Sequence, residues 1–411
     1  MRRTNLILGA AAFAYFVTVL ERSSMGVASL AASSRFGVGA AALSSLAVAQ
    51  LAVYAAMQMP TGLLLDRYGA RRLIIIGSLL TGTGNFIVAV SGALAYAVAG
   101  RMVVGLGDAL IFVSMIRLIN GWVQGPRATR LTQLFANIGQ LGQIASAIPF
   151  AYILGFAGWA AAFGLISGAA LLAAGMALLF IRDESSFENA TVTKGFRAQF
   201  IENLKDPLTR KAFWVHFTMQ SSGSAFILLW GYPFLVQAEG LPKSLASALL
   251  SSFVFIGFIV GPILSGLCVR FPAKRHLIVI YMYALIVGSW VLVIASPGKS
   301  PMWELIMLVL VIGAGGPASM IAFDYSRVGV PKYRLGSTNG VINSGGFVAA
   351  FTIMFLIGLA LDFVKATSLF GANVLYSLDG FKFAFCGPLV VLTGGLVMFL
   401  IERRRLQSRQ E

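Results

Sequence analysis

The chain has 411 residues, of which 58% are hydrophobic and 11% charged, and a mean hydropathy of +0.84; that composition excludes a water-soluble domain and points to a protein dissolved in lipid. A formal charge of +16 would ordinarily raise nucleic acid as a partner, but the Lys and Arg residues stand between apolar runs, where they control topology. Two cysteines, Cys268 and Cys386, are too few for a disulfide framework or a zinc site, and nothing else indicates a metal or a cofactor.

An apolar run of about twenty residues crosses roughly 30 Å of hydrocarbon as a helix, satisfying its own backbone groups there. Such runs are predicted at 5–32, 40–65, 73–91, 94–118, 131–154 and 159–181, then at 212–236, 244–269, 276–295, 302–325, 339–362 and 379–401. The first follows Met-Arg-Arg directly, has full spanning length and lacks a small-residue cleavage site, so it reads as a retained helix. The fold class is an all-α membrane protein with twelve transmembrane helices.

Alternate connections differ in charge. One set carries Arg2 and Arg3; Arg67, Arg71 and Arg72; Arg127 and Arg130; Arg270, Lys274 and Arg275; Arg327, Lys332 and Arg334; and Arg403, Arg404, Arg405 and Arg409. The other offers Arg35, Lys243, Lys299 and Lys365. The positive-inside rule then places both termini in the cytoplasm of a multi-pass protein of the cell membrane. The longest polar stretch, 182–211, divides a six-span bundle at 1–181 from a second at 212–401, with a cytoplasmic tail at 402–411. Its Asn189-Ala190-Thr191 fits a glycosylation acceptor, but a cytoplasmic loop is not glycosylated that way.

An internal repeat supports the six-plus-six division. Leu65-Asp66-Arg67-Tyr68-Gly69-Ala70-Arg71-Arg72 follows the second span, and Cys268-Val269-Arg270-Phe271-Pro272-Ala273-Lys274-Arg275 follows the eighth in the same register, with Pro60 and Pro262 preceding them at nearly equal distances. Gly62-Leu63-Leu64-Leu65-Asp66-Arg67-Tyr68-Gly69-Ala70-Arg71-Arg72 resembles the G-x-x-x-D-R-x-G-x-R-R loop motif of the major facilitator superfamily. Arg101, Gly105 and Gly107 resemble its second motif, R-x-x-x-G-x-G. The resemblance implies two pseudo-symmetric six-helix bundles, alternating access, and a conformational latch formed by Gly62, Asp66, Arg67, Gly69, Arg71 and Arg72. Independently of the family, helix-terminal carbonyls such as those ending the second span are partly negative and attract such an arginine cluster; simple topological anchoring is the alternative role. The second copy has Val269 in place of Asp66 and Pro272 in place of Gly69, so any latch there is weaker or different.

Charges inside a span cost roughly 2.5–3.5 kcal/mol each on insertion scales, so they face a cavity or a partner. Glu21 and Arg22 lie in the first span, Arg101 and Asp108 in the fourth. Neighbouring helical residues point about 100° apart, so Glu21 and Arg22 serve different surroundings. Arg101, Gly105 and Asp108 share one helical face, expected to point inward, where they either contact a ligand or fasten helices as ion pairs. Arg117 is on the opposite face and can snorkel. Polar stripes run along Gln133, Asn137 and Gln140, along His216, Gln220 and Ser224, and along Asn339 and Asn343; some of these residues glue helices and the rest line a wet cavity. His216 could titrate near neutral pH, although a lone helical His is more often a packing residue. Forty-five glycines, and prolines 60, 149, 233, 262, 317 and 388 in or near spans, permit close packing and bending.

The expected function is secondary active transport of a small solute by a monomer in the lipid bilayer. Arg22 and Arg101 suggest an organic anion, because a buried guanidinium seeks a carboxylate or phosphate; Glu21 and Asp108 suggest protons as the coupling ion. Substrate-binding or coupling roles fall to Glu21, Arg22, Arg101, Asp108, Asn137, Gln140, His216, Gln220 and Asn343. No Walker-type phosphate loop is present for ATP drive, and the fifth span lacks the GP-x-x-GG pattern that resembles drug/proton antiporters, favouring symport or uniport. Alternatives are export of drug-like molecules and a non-transporting receptor or assembly factor on the same fold. A channel filter and an enzyme's nucleophile–base pair are both missing from the sequence.

Overall fold

A computed structural model of the chain describes residues 2–123, 126–183, 196–331, 335–371 and 374–408. The sequon at 189–191, residues 332–334 and Arg409, and the side chains of Arg2, Arg3, Asp66, Arg127, Arg130, Gln133 and Arg327, lie outside the described residues. Among the described residues the secondary structure is helical throughout.

The first half runs through α1 (Arg2–Phe36), α2 (Ala40–Val90), α3 (Leu94–Trp122), α4 (Pro126–Ala145), a π-helical turn at Ser146–Phe150 and α5 (Ala151–Phe180). After α6 (Phe196–Lys205) come α7 (Pro207–Ala225), two π turns at Phe226–Trp230 and Phe234–Ala238 flanking α8 (Gly231–Pro233), α9 (Lys243–Arg270) and α10 (Arg275–Ala295). The chain ends with α11 (Met302–Ser319), α12 (Ile321–Gly329), α13 (Leu335–Thr367), α14 (Leu378–Ala384) and α15 (Cys386–Gln407).

These helices make twelve spans, and glycine separates them at two places. Among the described residues, ten stretches are individually long and apolar enough to cross a membrane. One of the ten, Asn137–Phe180, holds two spans, because Gly158 breaks the helix at φ 82°, ψ −177°. The remaining span is the seventh, Pro207–Ala238, less apolar because it carries His216, Gln220, Ser221, Ser222 and Ser224. Gly69, at φ 77°, ψ 164°, separates the second and third spans within α2; that region of backbone space is essentially closed to residues with a Cβ. Spans ten and twelve are each built of two helices, joined at Met320 and Phe385. The π turns sit at Pro149 and beside Pro233, where proline's missing N–H and ring displace the regular hydrogen-bond ladder.

The chain packs as two compact units, Met1–Ala31 with Ala49–Phe196, and Ala32–Val48 with Arg197–Glu411. In the first, Ile7, Ala11, Ala14, Leu73, Ile74, Ile111 and Met115 form a core from α1, α2 and α3. Glycine pairs hold two of these helices against each other. A Cβ on Gly77 would lie 2.8 Å from the Gly107 carbonyl oxygen, and one on Gly107 would strike the Gly77 carbonyl; a Cβ on Gly84 would lie 2.6 Å from the Gly100 carbonyl, and one on Gly100 2.7 Å from that of Gly84. The partners sit one heptad apart on each helix, so the third and fourth spans run antiparallel with backbones touching. Arg101 and Asp108 each follow one of these glycines.

The second unit centres on an aromatic cluster of Phe226, Trp230, Phe234, Trp290, Phe381 and Phe385, with Trp290 and Phe385 centroids 4.6 Å apart. Residues 32–48 belong to this unit by packing: the Asp362 carboxylate on α13 accepts the N–H groups of Ala40 and Ala41 at 2.8 Å each, capping the start of α2. Tyr376 lies near the same carboxylate, and burial together with that charge pushes its phenol pKa up. The α6 helix is fastened here too, through Asn203 to Ser337 and Thr338. Arg210 beside it joins the α6 carbonyls of Leu204 and Lys205 to the buried Glu402 on α15. Large apolar side chains such as Phe156, Val269 and Val390 are exposed, as lipid-facing residues of a membrane protein are.

Candidate functional site

In the first unit, Glu21, Arg22, Arg101 and Asp108 come together where α1 meets α3. The Arg22 guanidinium forms a two-pronged pair with Asp108: Nε donates to Oδ2 at 2.8 Å and Nη2 to Oδ1 at 2.5 Å. Planar fork against planar carboxylate is the strongest geometry for such a pair. The Tyr54 ring lies 4.7 Å from the guanidinium carbon, adding a cation–π contact. Glu21 turns the other way, toward the third span, where Asn85 Nδ2 donates to its Oε1 at 2.9 Å.

Arg101 directs its donors at backbone: Nη1 to the Glu21 carbonyl at 3.2 Å and Nη2 to the Arg22 carbonyl at 3.4 Å. It therefore holds α1 at the two residues that carry the charges. Gly105, on the same face of α3, lets Gln50 of α2 approach so closely that a Cβ would strike the Gln50 carbonyl. Glu21, Arg101 and Asp108 are each no more than 1% exposed, so their charges act in a medium where electrostatic interactions are far stronger than in water.

The polar stripe on α4 is split. Asn137 is half-buried and Gln140 exposed, while Gly139 and Gly142 between and beyond them pack on Tyr15 and on the Phe16 carbonyl of α1. In the second unit, His216 is buried; its Nδ1 accepts the backbone N–H of Gly346 at 3.2 Å and its ring meets Phe323 edge-on at 5.3 Å. An accepting Nδ1 defines a neutral ring with its proton on Nε2, so His216 is tied into the packing of α7 on α13. Gln220 is linked to Ser224 (3.1 Å) and accepts from Ser319 (3.2 Å). Asn339 accepts from Ser326 at 2.8 Å, and Asn343 is half-buried on α13.

The loop motif has its own geometry. Asp183, just past α5, accepts the Arg71 backbone N–H at 3.0 Å, capping the third span, and Arg71 Nη2 donates to the Leu178 carbonyl at 2.9 Å. The carbonyl taken by Arg71 thus ends the sixth span, where the sequence suggested the second. A Cβ at Gly69 would lie 2.5 Å from Asp183 Oδ2. Arg67 and Arg72 are exposed, Arg67 stacking on Tyr68 at 5.3 Å, and Gly62 stands in open space. In the second copy Arg275 instead bonds the Cys268 carbonyl of its own turn, at 3.2 Å. Gly69→Ala is expected to cost about 1–3 kcal/mol through the disfavoured backbone alone and also to displace Asp183; thermal unfolding of the purified protein against Gly62→Ala, a helical glycine in open space whose replacement should cost nothing, measures it.

Sequence reasoning did not single out Asn85, Tyr54 or Asp183. Asn85 was detectable as a lone amide in an otherwise apolar span, the kind of residue lipid does not tolerate without a partner.

The family model described as the Major Facilitator Superfamily matches residues 11–354. The D-galactonate transporter of Escherichia coli O6:H1 (strain CFT073) is 23% identical, over 87% of this chain and 92% of that protein. The probable sulfoacetate transporter SauU of Cupriavidus necator is 27% identical, over 47% of this chain; the match spans 45%, under half, of that relative's length. A solved bacterial homolog of the human lysosomal transporter Spinster, inward-facing and unoccupied, superposes with a TM-score of 0.77 over 98% of this chain and 97% of that one, at 15% identity. With twelve helical spans, the repeated loop motif and a family match across most of its length, this chain belongs to the Major Facilitator Superfamily of secondary transporters.

Proposed function

We propose that the chain carries a small organic anion across the cytoplasmic membrane as a proton-coupled symporter. The observation that carries this reading is the Arg22–Asp108 fork. Asp108 occupies the guanidinium as a substrate carboxylate would, so anion and Asp108 compete for one cation. Protonating Asp108 removes its claim and opens the fork, which links anion binding to proton binding. The names of the matched D-galactonate and sulfoacetate transporters support a carboxylate or sulfonate substrate.

In this reading the bundles at 1–181 and 212–401, joined by 182–211, alternate access to the site within a monomer. The face carrying Arg67–Arg72 and Arg403–Arg405 is cytoplasmic, and the Gly69–Asp183–Arg71 cluster is one state's latch.

Uptake of D-galactonate and of sulfoacetate into proteoliposomes, with and without an inward proton gradient, tests it. Arg22→Ala is expected to lower uptake by about tenfold or more, the loss of a two-pronged charge-assisted contact. Asp108→Asn should make any remaining uptake indifferent to the gradient. Unchanged anion uptake in both Arg22→Ala and Arg101→Ala would remove the anion reading; gradient-driven uptake intact in both Glu21→Gln and Asp108→Asn would remove proton coupling.

A further inference from the structure

The third span carries a buried amide, Asn85, to which the transport reading assigns no task. It is wholly buried, and its Nδ2 donates both to Glu21 Oε1 at 2.9 Å and to the Thr81 carbonyl, one turn earlier on its own helix, at 3.0 Å. Two acceptor oxygens beside that contact have no hydrogen-bond partner: Oδ1 of Asn85 and Oε2 of Glu21. Leaving buried acceptors unpaired is costly, and such groups in a folded protein call for an explanation.

Both unpaired atoms are acceptors, so the local shortage is of a donor. A proton on Glu21 supplies one. Nδ2 keeps its bonds to Oε1 and to the Thr81 carbonyl, and the unengaged Oδ1 of the same amide is the acceptor for the new O–H on Oε2, so the amide need not turn over. The ionised carboxylate then takes an N–H from Asn85, and the protonated carboxyl gives its O–H to the same residue. An aliphatic side chain of that size serves neither form, and an ionised Asp could only accept.

Asn85 shares the Glu21 carboxyl with the Thr81 hydroxyl one turn earlier on the same helix, which also hydrogen-bonds it, and is the amide of the pair. The charged groups facing Glu21 are Arg101 and Asp108 on α3, and Thr81 faces it with Asn85 from α2. Arg101 Nη1 and Nη2 bond the carbonyls of Glu21 and Arg22, Asp108 is engaged by both prongs of Arg22, and α4 presents Gly139 and Gly142 to α1. Gly84, immediately before Asn85, fixes the position of this turn against Gly100.

We propose that Asn85 is the positioning residue for a second proton site on Glu21, beside the coupling site at Asp108: a reversible hydrogen-bond partner that pairs with the Glu21 carboxyl in both its ionised and its protonated forms. The proposal rests on the proton-coupled reading above and goes beyond it in naming the group that lets Glu21 change state inside the helix bundle.

Infrared spectroscopy of the purified full-length protein in lipid nanodiscs, titrated with pH, tests it without any substrate. Protonated Glu21 should contribute a carboxyl C=O stretch that Glu21→Gln deletes. In Asn85→Leu the band should persist but move to higher frequency, as that of a carboxyl which loses one hydrogen-bond partner does, and its titration midpoint should shift by about one pH unit, a tenfold change in proton affinity. Asn85→Ala, which removes volume and crowds nothing, is run beside it and should give the same displacement; thermal unfolding confirms that the variants are folded. A band deleted by Glu21→Gln whose frequency and midpoint are unmoved in both Asn85 variants overturns the role of Asn85 and leaves the proton site on Glu21 standing. No titrating band attributable to Glu21 removes both.

Discussion

Asp108→Ala is expected to destabilise the folded protein by about 3–5 kcal/mol, the range for removing one partner of a buried ion pair. The Arg22 guanidinium, whose side chain is 14% exposed against 1% for Asp108, would lose the carboxylate that two of its donors engage, deep in a span where an uncompensated charge is least tolerated. Asp108→Asn should cost less, since an amide oxygen still accepts one of the two bonds. The sharper comparison is the double variant Arg22→Leu/Asp108→Leu, which removes both charges and should recover much of the loss. Thermal unfolding in detergent measures all three, and a double variant no more stable than Asp108→Ala would show that packing of the two side chains, not their charge, holds α1 to α3. Transport separates function from stability: the double variant should fold and carry no anion.

That pairing shows where the sequence ran out of information. The spans were legible because lipid demands long apolar runs, and even the polar seventh span stood out by length and position. The breaks at Gly69 and Gly158 could be placed to within a few residues, since only a few positions in each polar or small-residue stretch tolerate a reversal of the chain. The four charges where α1 meets α3 were also visible, because each violates the apolar pattern.

Their partners were not visible, because pairing depends on the rotation of α1 and its depth relative to α3. Glycines at 77, 84, 100 and 107 set the third span's register against the fourth, and they stand out only when both helices are seen together. Arg101 illustrates the same limit: its charge suggests a carboxylate partner, yet its terminal nitrogens donate to the carbonyls of residues 21 and 22. Asn85 escaped attention because a single amide makes no stripe. The affiliation of residues 32–48 with the second unit depends on Asp362, more than three hundred positions away, whose capping role has no local signature.

Gly107→Val should be the most damaging single substitution at the contact between the third and fourth spans. A Cβ there would strike the Gly77 carbonyl and lie 2.8 Å from Thr81 Cγ2 and 2.9 Å from Leu80 Cβ. Backbone cannot yield as a flexible side chain can, so α3 must move off α2 as a body. Overpacking typically costs about 1–3 kcal/mol and occasionally more; a clash with main chain belongs at the upper end. Gly164→Ala and Gly175→Ala in α5 are the controls, since a Cβ meets nothing within 4 Å at either position, and replacing a helical glycine in open space should gain about 0.5–1 kcal/mol. If all three variants melt alike, contact between the helix backbones is not what orders this bundle. The functional consequence follows from adjacency: Asp108 is the next residue, and its two bonds to Arg22 tolerate only a few tenths of an ångström before one prong is lost. Gly107→Val should therefore lose gradient-driven anion uptake at temperatures where it is still folded, whereas Gly175→Ala should transport normally, tying the geometry of the charge pair to the glycines that bring its helices together.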